Sequence, residues 1–125
     1  MRLFRYAGVL SLAFALHGAA QAAPDARAQA EIAHLLQYVA TPGCQFQRNG
    51  SWHDGAEARG HLQQKYDYLV KRKLVTDAES FIARAATESS MSGSAYQVKC
   101  GSGKAVASAV WLKEELVRFR GRAAK

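Results

Sequence analysis

Three side chains capable of acid–base or metal chemistry recur every four residues: His53, Glu57 and His61. On an α-helix that spacing aligns one face, and two imidazoles with one carboxylate form a known open-site metal constellation or a general acid–base set. The same residues also answer to structural demands. Asp54-Gly55-Ala56-Glu57 has the form of a capping box, which engages Glu57 at N3 and leaves His53 ahead of the helix. No H-E-x-x-H pattern is present, so His53, Glu57 and His61 stand as weak metal candidates and no cofactor is expected. The serine-rich stretch Thr87–Ser94 holds no G-x-S-x-G or S-x-x-K, so no nucleophile is assigned. Polar loops and one large aromatic supply a different kind of chemistry, namely binding. Arg48, Asn49, Trp52 and His53 sit around one turn, His61 follows, and Ser92 and Tyr96 belong to a second loop. Trp52, if exposed, is the best single binding anchor.

The two cysteines, Cys44 and Cys100, take their meaning from the N-terminus. Arg2 and Arg5 precede an apolar stretch from Tyr6 to Leu16, and Ala20-Gln21-Ala22 offers small residues to a signal peptidase. Residues 1–22 are therefore expected to be a signal peptide cleaved after Ala22, and the protein is expected in the periplasm. Cleavage would remove two of 17 basic side chains and none of 10 acidic ones, leaving 103 of 125 residues at a net +5 instead of +7. In an oxidising compartment a cysteine pair reads as a disulfide. Nucleic acid is an unfavourable partner there, and no aromatic–basic interleaving of the RNA-binding kind occurs. The basic runs Lys71–Lys73 and Arg118–Lys125 read as solvated helix ends and a tail. No apolar run of 18 residues exists, so no transmembrane span is expected.

The elements that must position these residues follow from periodicity. Ile32, Leu35, Leu36 and Val39 mark one helical face, ended by Thr41-Pro42-Gly43. Asn49-Gly50 predicts a two-residue type I′ hairpin that pairs Arg48 with Ser51, Gln47 with Trp52 and Phe46 with His53. Cys44, Phe46, Arg48 and His53 then share a face. A helix opens at Asp54 with Ala58, Leu62, Tyr66 and Leu69 inward. A second capping box, Thr76–Glu79, opens a short helix carrying Phe81, Ile82 and Ala85. Residues 95–108 form a second hairpin, with Val98 opposite Val106 and Cys100 opposite Lys104. The last helix carries Trp111, Leu112, Glu115, Leu116 and Phe119, with an i,i+4 pair from Glu114 to Arg118. The order is α-β-β-α-α-β-β-α: a small α+β domain with two antiparallel hairpins packed against helices and one disulfide. Residues 23–30 are expected to be a flexible lead-in, 31–120 the domain and 121–125 a flexible tail.

Two resemblances attach to these residues. Phe46-Gln47-Arg48-Asn49-Gly50, His53, Glu57-Ala58, His61-Leu62 and Lys65 resemble the signature of the YfeK-like family. So do Thr76, Ala78-Glu79, Phe81-Ile82, Ser89-Ser90, Ser92-Gly93, Tyr96, Val98 and Trp111-Leu112. This is a family of small exported proteins of Gram-negative bacteria classed as a domain of unknown function, and the resemblance covers roughly Glu31 to Phe119. It implies a periplasmic location and one compact domain, and it supplies no activity. Separately, Ser92-Gly93-Ser94-Ala95-Tyr96 resembles the S-G-x-x-Y motif of bacterial periplasmic lysozyme inhibitors, in which a loop enters the enzyme cleft. Those inhibitors are mostly β, and a positive net charge steers away from a cationic lysozyme. The reading is thus a monomeric, non-enzymatic binding module whose partner is a periplasmic protein or an envelope component. The alternatives are a lysozyme-inhibitor-like protein and a metal-dependent or acid–base enzyme using His53, Glu57 and His61.

Overall fold

The computed structural model describes residues 23–125 together with Gly8. The signal-peptide assignment lies outside the described residues. Eight elements run in order: α1 (Ala26–Val39), β1 (Cys44–Arg48), β2 (Ser51–Asp54), α2 (Gly55–Lys71), α3 (Ala78–Ala85), β3 (Gln97–Cys100), β4 (Val106–Ala107) and α4 (Ser108–Ala123). The α+β arrangement expected from the sequence is the one observed. No described helix is long and apolar enough to cross a membrane.

Helix α1 starts at Ala26, inside the stretch expected to be a loose lead-in, because Asp25 caps it by accepting from the Ala28 amide at 2.8 Å. Its apolar stripe Ile32, Leu35, Leu36 and Val39 is buried as the spacing requires. Helix α4 likewise continues to Ala123, past the point where a loose tail was expected.

The first hairpin has the register that Asn-Gly dictates, with Arg48 opposite Ser51, Gln47 opposite Trp52 and Phe46 opposite His53. Asn49 (φ 52°) and Gly50 (φ 82°) occupy the left-handed region that a type I′ turn needs. In the second hairpin Val98 faces Val106. The ladder ends before Cys100 and Lys104, because the chain turns sharply there through a bond from the Gly103 amide to the Cys100 carbonyl. The two hairpins join into one four-stranded sheet, β2-β1-β3-β4, through antiparallel pairing of β1 with β3. That seam sets Cys44 directly opposite Cys100, and the two form a disulfide.

Alternation sends Phe46 and Val98 to the helices, where they join α1, Leu62, α3, Leu112 and Leu116 in one core. The opposite sheet face carries Gln45, Gln47, Trp52, Gln97 and Lys99. Two capping details and one ion pair differ from expectation. Asp54 caps α2 through the Glu57 amide, but the Glu57 carboxylate turns to His53 instead of closing the box. The box on α3 is Asp77–Ser80, not Thr76–Glu79: Asp77 accepts from the Ser80 amide at 2.7 Å while Ser80 Oγ accepts from the Asp77 amide. Arg118 pairs with Glu115 at i,i+3 and not with Glu114, since Glu115 lies on the buried face.

Candidate functional site

Register and helix phase bring four side chains from three parts of the chain to one place. Arg48 ends β1 on the helix-facing side. His61 and Lys65 lie one turn apart on α2. Tyr96 is the residue before β3 and is only 6% exposed. Arg48 approaches His61 Nδ1 at 2.8 Å, His61 Nε2 approaches Tyr96 Oη at 3.1 Å, and Lys65 Nζ donates to Tyr96 Oη at 3.1 Å and to the Glu88 carbonyl at 3.1 Å. The imidazole meets the phenol ring edge-on.

The chemistry of the donors fixes the protons. A guanidinium has N–H groups only, so Arg48 must donate and Nδ1 must accept. His61 is then neutral with its proton on Nε2, which donates to Tyr96 Oη. Tyr96 Oη receives two donors, from His61 and from Lys65. Its own hydroxyl proton therefore has no acceptor among the described residues, nor do the spare N–H groups of Arg48 and Lys65. No carboxylate forms an ion pair with Arg48 or Lys65 among the described residues. Burial, then the nearby Arg48, Lys65 and His53 charges, lower the His61 pKa from its ordinary 6.5. Burial also lowers Lys65, with Arg48 adding to the shift and the Glu88 charge opposing it. The Tyr96 phenol is raised by burial and partly held back by Arg48.

Beneath this cluster lies a cavity of about 40 Å³, with Val39, Phe46, Leu62, Ala86 and Leu112 among its walls and Arg48, His53, Glu57, His61 and Tyr96 also lining it. Ser108, the first residue of α4, lines it as well. Ser108 is 3% exposed, and its hydroxyl is buried without a hydrogen-bond partner.

The other sequence candidates go elsewhere. His53 Nδ1 and Glu57 Oε1 are 2.9 Å apart, but His61 turns from them to Arg48 and Tyr96. No group of three His, Cys, Asp or Glu side chains among the described residues is placed to hold a metal ion. Asn49 and Ser92 bond to each other, Ser92 Oγ donating to Asn49 Oδ1 at 2.6 Å, which ties the 89–94 loop to the hairpin tip. Trp52 is 37% exposed on the far sheet face, with Lys99 Nζ 5.1 Å from its ring centre. Lys65, named above only within the family signature, and Ser108 were not among the site candidates read from sequence. For Lys65 the signal existed, four residues after His61 on the same helical face; for Ser108 none did.

A second charged centre was also missed. The carboxylates of Glu31 and Glu115 are buried, and the tail arginines serve them. Arg120 grips Glu31 through two bonds, at 2.7 and 3.0 Å, and also pairs with Glu79. Arg118 and Arg122 pair with Glu115. These arginines are ion-pair partners within the molecule, a role the sequence reading of solvated helix ends and a tail did not include, although the Arg118 and Arg122 side chains stay about half exposed. In the Arg48–Lys65 cluster, by contrast, two half-buried cationic groups lie close together without a carboxylate partner among the described residues.

A family whose description is a family of unknown function (DUF5329) matches residues 26–120. Neither the curated proteins nor the solved structures contain a match to the chain.

Proposed function

We propose a function from the site itself, because the chain belongs to DUF5329, a family of unknown function: the protein is a non-enzymatic binding module of the bacterial envelope, and its binding centre is the Arg48–His61–Lys65–Tyr96 cluster, which takes an anionic group. One observation carries this reading. Four adjacent side chains use their only acceptors on one another and leave surplus donors, the Tyr96 hydroxyl among them, with no acceptor among the described residues. An anion accepts from several cationic donors at once, and such charge-assisted bonds are stronger than those between neutral groups.

Binding is favoured over catalysis by the state of His61. Its one lone pair is occupied by Arg48 and its N–H by Tyr96, so it has no free position from which to take a substrate proton. His53 is paired with Glu57, but the Ser108 hydroxyl in the same cavity has no hydrogen-bond partner and so is not coupled to His53 as a nucleophile would be. The inhibitor-like reading gains nothing from the geometry: Tyr96 faces inward and the Ser92 hydroxyl proton is committed to Asn49. An envelope location is supported by the Arg2, Arg5, Tyr6–Leu16 and Ala20-Gln21-Ala22 pattern and suits a cross-strand disulfide.

The test is an anion titration of isotope-labelled protein followed by NMR. Phosphate and a short carboxylate are expected to shift the resonances of Arg48, His61, Lys65 and Tyr96, and Arg48→Gln is expected to weaken the response tenfold or more. No shift at these four residues with either anion, at concentrations up to tens of millimolar, would overturn the reading.

A further inference from the structure

We propose a second binding site, on the far side of the sheet, for an uncharged, extended oligosaccharide that lies across β2, β1 and β3. One sugar ring stacks on Trp52, and hydroxyls bond to Gln45, Asp54 and Lys99. The site is separate from the anion site, because Arg48 holds a helix-facing position of β1 and these residues alternate to the opposite face. Register builds the surface. Pairing sets Trp52, Gln47 and Gln97 side by side in one row and Asp54, Gln45 and Lys99 in the next. Neighbouring strands lie about 4.8 Å apart, so each row crosses roughly 10 Å, the reach of two linked pyranose rings. The second row borders a groove of about 480 Å³, whose other walls are Gly43, Cys44 and Gly101. That volume falls within the ~300–1,000 Å³ of small-ligand sites. Lys99 Nζ stands 5.1 Å from the centre of the Trp52 ring, and Lys99 also lines the groove, so the indole turns a face towards it.

Three features of this face select the occupant. First, donors and acceptors are interspersed: the Asp54 carboxylate accepts, the amides do both and the Lys99 ammonium donates. Asp54 Oδ1 accepts from the Glu57 amide, and its second oxygen takes no bond among the described residues. The three glutamine amides and the Trp52 indole N–H make no side-chain hydrogen bond there either. Hydroxyls, each donor and acceptor at once, match this mixture, whereas an anion meets Asp54 and a cation meets Lys99. Second, the outward strand positions carry one charge of each sign in a chain of net charge +7, so the face is neutral and complements a neutral ligand. Third, its apolar surface is confined to Trp52 and to Ala107 beside Gln97. That is too little for the apolar centre of a protein interface, and enough for one sugar ring. The C–H groups of a sugar face are weakly positive, so they take the place on the indole that the ammonium now holds. The displaced Lys99 then donates to a ring hydroxyl.

The experiment titrates isotope-labelled protein with cellotriose and with tri-N-acetylchitotriose, read by NMR. The expected result is that one or both shift the Trp52 indole and the Gln45 and Gln47 side-chain amides while Arg48, His61 and Tyr96 stay unmoved. Trp52→Ala is expected to weaken binding tenfold or more and Gln45→Ala threefold or more. Both residues are exposed, so both variants are expected to fold, which a thermal melt checks. Binding of tri-N-acetylchitotriose alone assigns N-acetylated glycans as the source, binding of cellotriose alone assigns unmodified glucans, and equal binding assigns recognition to the rings and hydroxyls the two share. No shift at Trp52 with either sugar up to tens of millimolar would overturn the inference, as would binding that survives Trp52→Ala. Without sugar binding, a dimer that Trp52→Ala abolishes in sedimentation would assign the face to a second copy of the chain and equally overturn it. None of these outcomes touches the anion site, which is read at Arg48, His61, Lys65 and Tyr96.

Discussion

His61 shows how one residue's surroundings decide what it can do. The sequence offered it as a metal ligand or a base, on its spacing from His53 and Glu57. Its ring instead bridges Arg48 and Tyr96. The spacing was legible, but the competing partner was not, because Arg48 comes from a strand and Tyr96 from a distant loop. Of the site residues, Arg48, His61 and Tyr96 were readable as polar candidates, and Lys65 could have been found from its helical position. Ser108 could not, since nothing in a serine after a hairpin signals an unpartnered buried hydroxyl. A pH dependence follows. The folded protein holds the His61 pKa below its ordinary 6.5, so near and below that pH the unfolded chain binds more protons than the native one. Stability from this source is complete above about pH 6.5 and is lost as pH falls towards the folded value. His61→Gln keeps an acceptor for Arg48 without titrating. Denaturation midpoints between pH 7.5 and 5 are expected to fall less steeply in this variant than in the wild type. Equal slopes would contradict the assignment.

Local chemistry made most elements legible. Apolar periodicity located α1, Asn49-Gly50 located the first hairpin and its register, and Asp54 marked the start of α2. The errors arose where two side chains competed for one backbone amide. At α3, Asp77 with Ser80 makes a tighter box than Thr76 with Glu79, and Glu79 is left to meet Arg120. At the end of α2 the helix closes with paired bonds, Leu74 amide to Leu69 carbonyl and Lys73 amide to Val70 carbonyl, which place Lys73 in the left-handed region at φ 58°. Glycine is the residue that adopts this conformation without steric cost. Lys73→Gly is expected to raise stability by about 0.5–1 kcal/mol, measured as an increased urea midpoint at unchanged m. A lower midpoint would show that Lys73 contributes more than its backbone conformation costs.

At the scale of the whole molecule, the cysteine pair marks the joint between the two halves of the sheet. The compartment argument anticipated the bridge, yet periodicity gave no means of knowing that the two hairpins meet. That depends on β1–β3 pairing across about 50 residues, a contact no local pattern encodes. A crosslink spanning 56 residues removes unfolded-chain entropy worth about 4 kcal/mol. Cys44→Ser with Cys100→Ser is therefore expected to cost about that much in denaturant unfolding, and a loss under 1 kcal/mol would mean that the β1–β3 seam does not depend on the bridge. The tail arginines show the same limit of sequence reading, because Glu31 and Arg120 are 89 residues apart. What distinguishes the site in a chain of net charge +7 is that two half-buried cationic groups, Arg48 and Lys65, meet one imidazole and one phenol with no carboxylate among them. The most direct test of that claim is the NMR titration of the His61 imidazole with and without a saturating short carboxylate. Bound negative charge offsets Arg48 and Lys65, so the midpoint is predicted to lie below 6.5 in the free protein and to rise when the anion is present. A midpoint that the anion leaves unchanged would contradict the account.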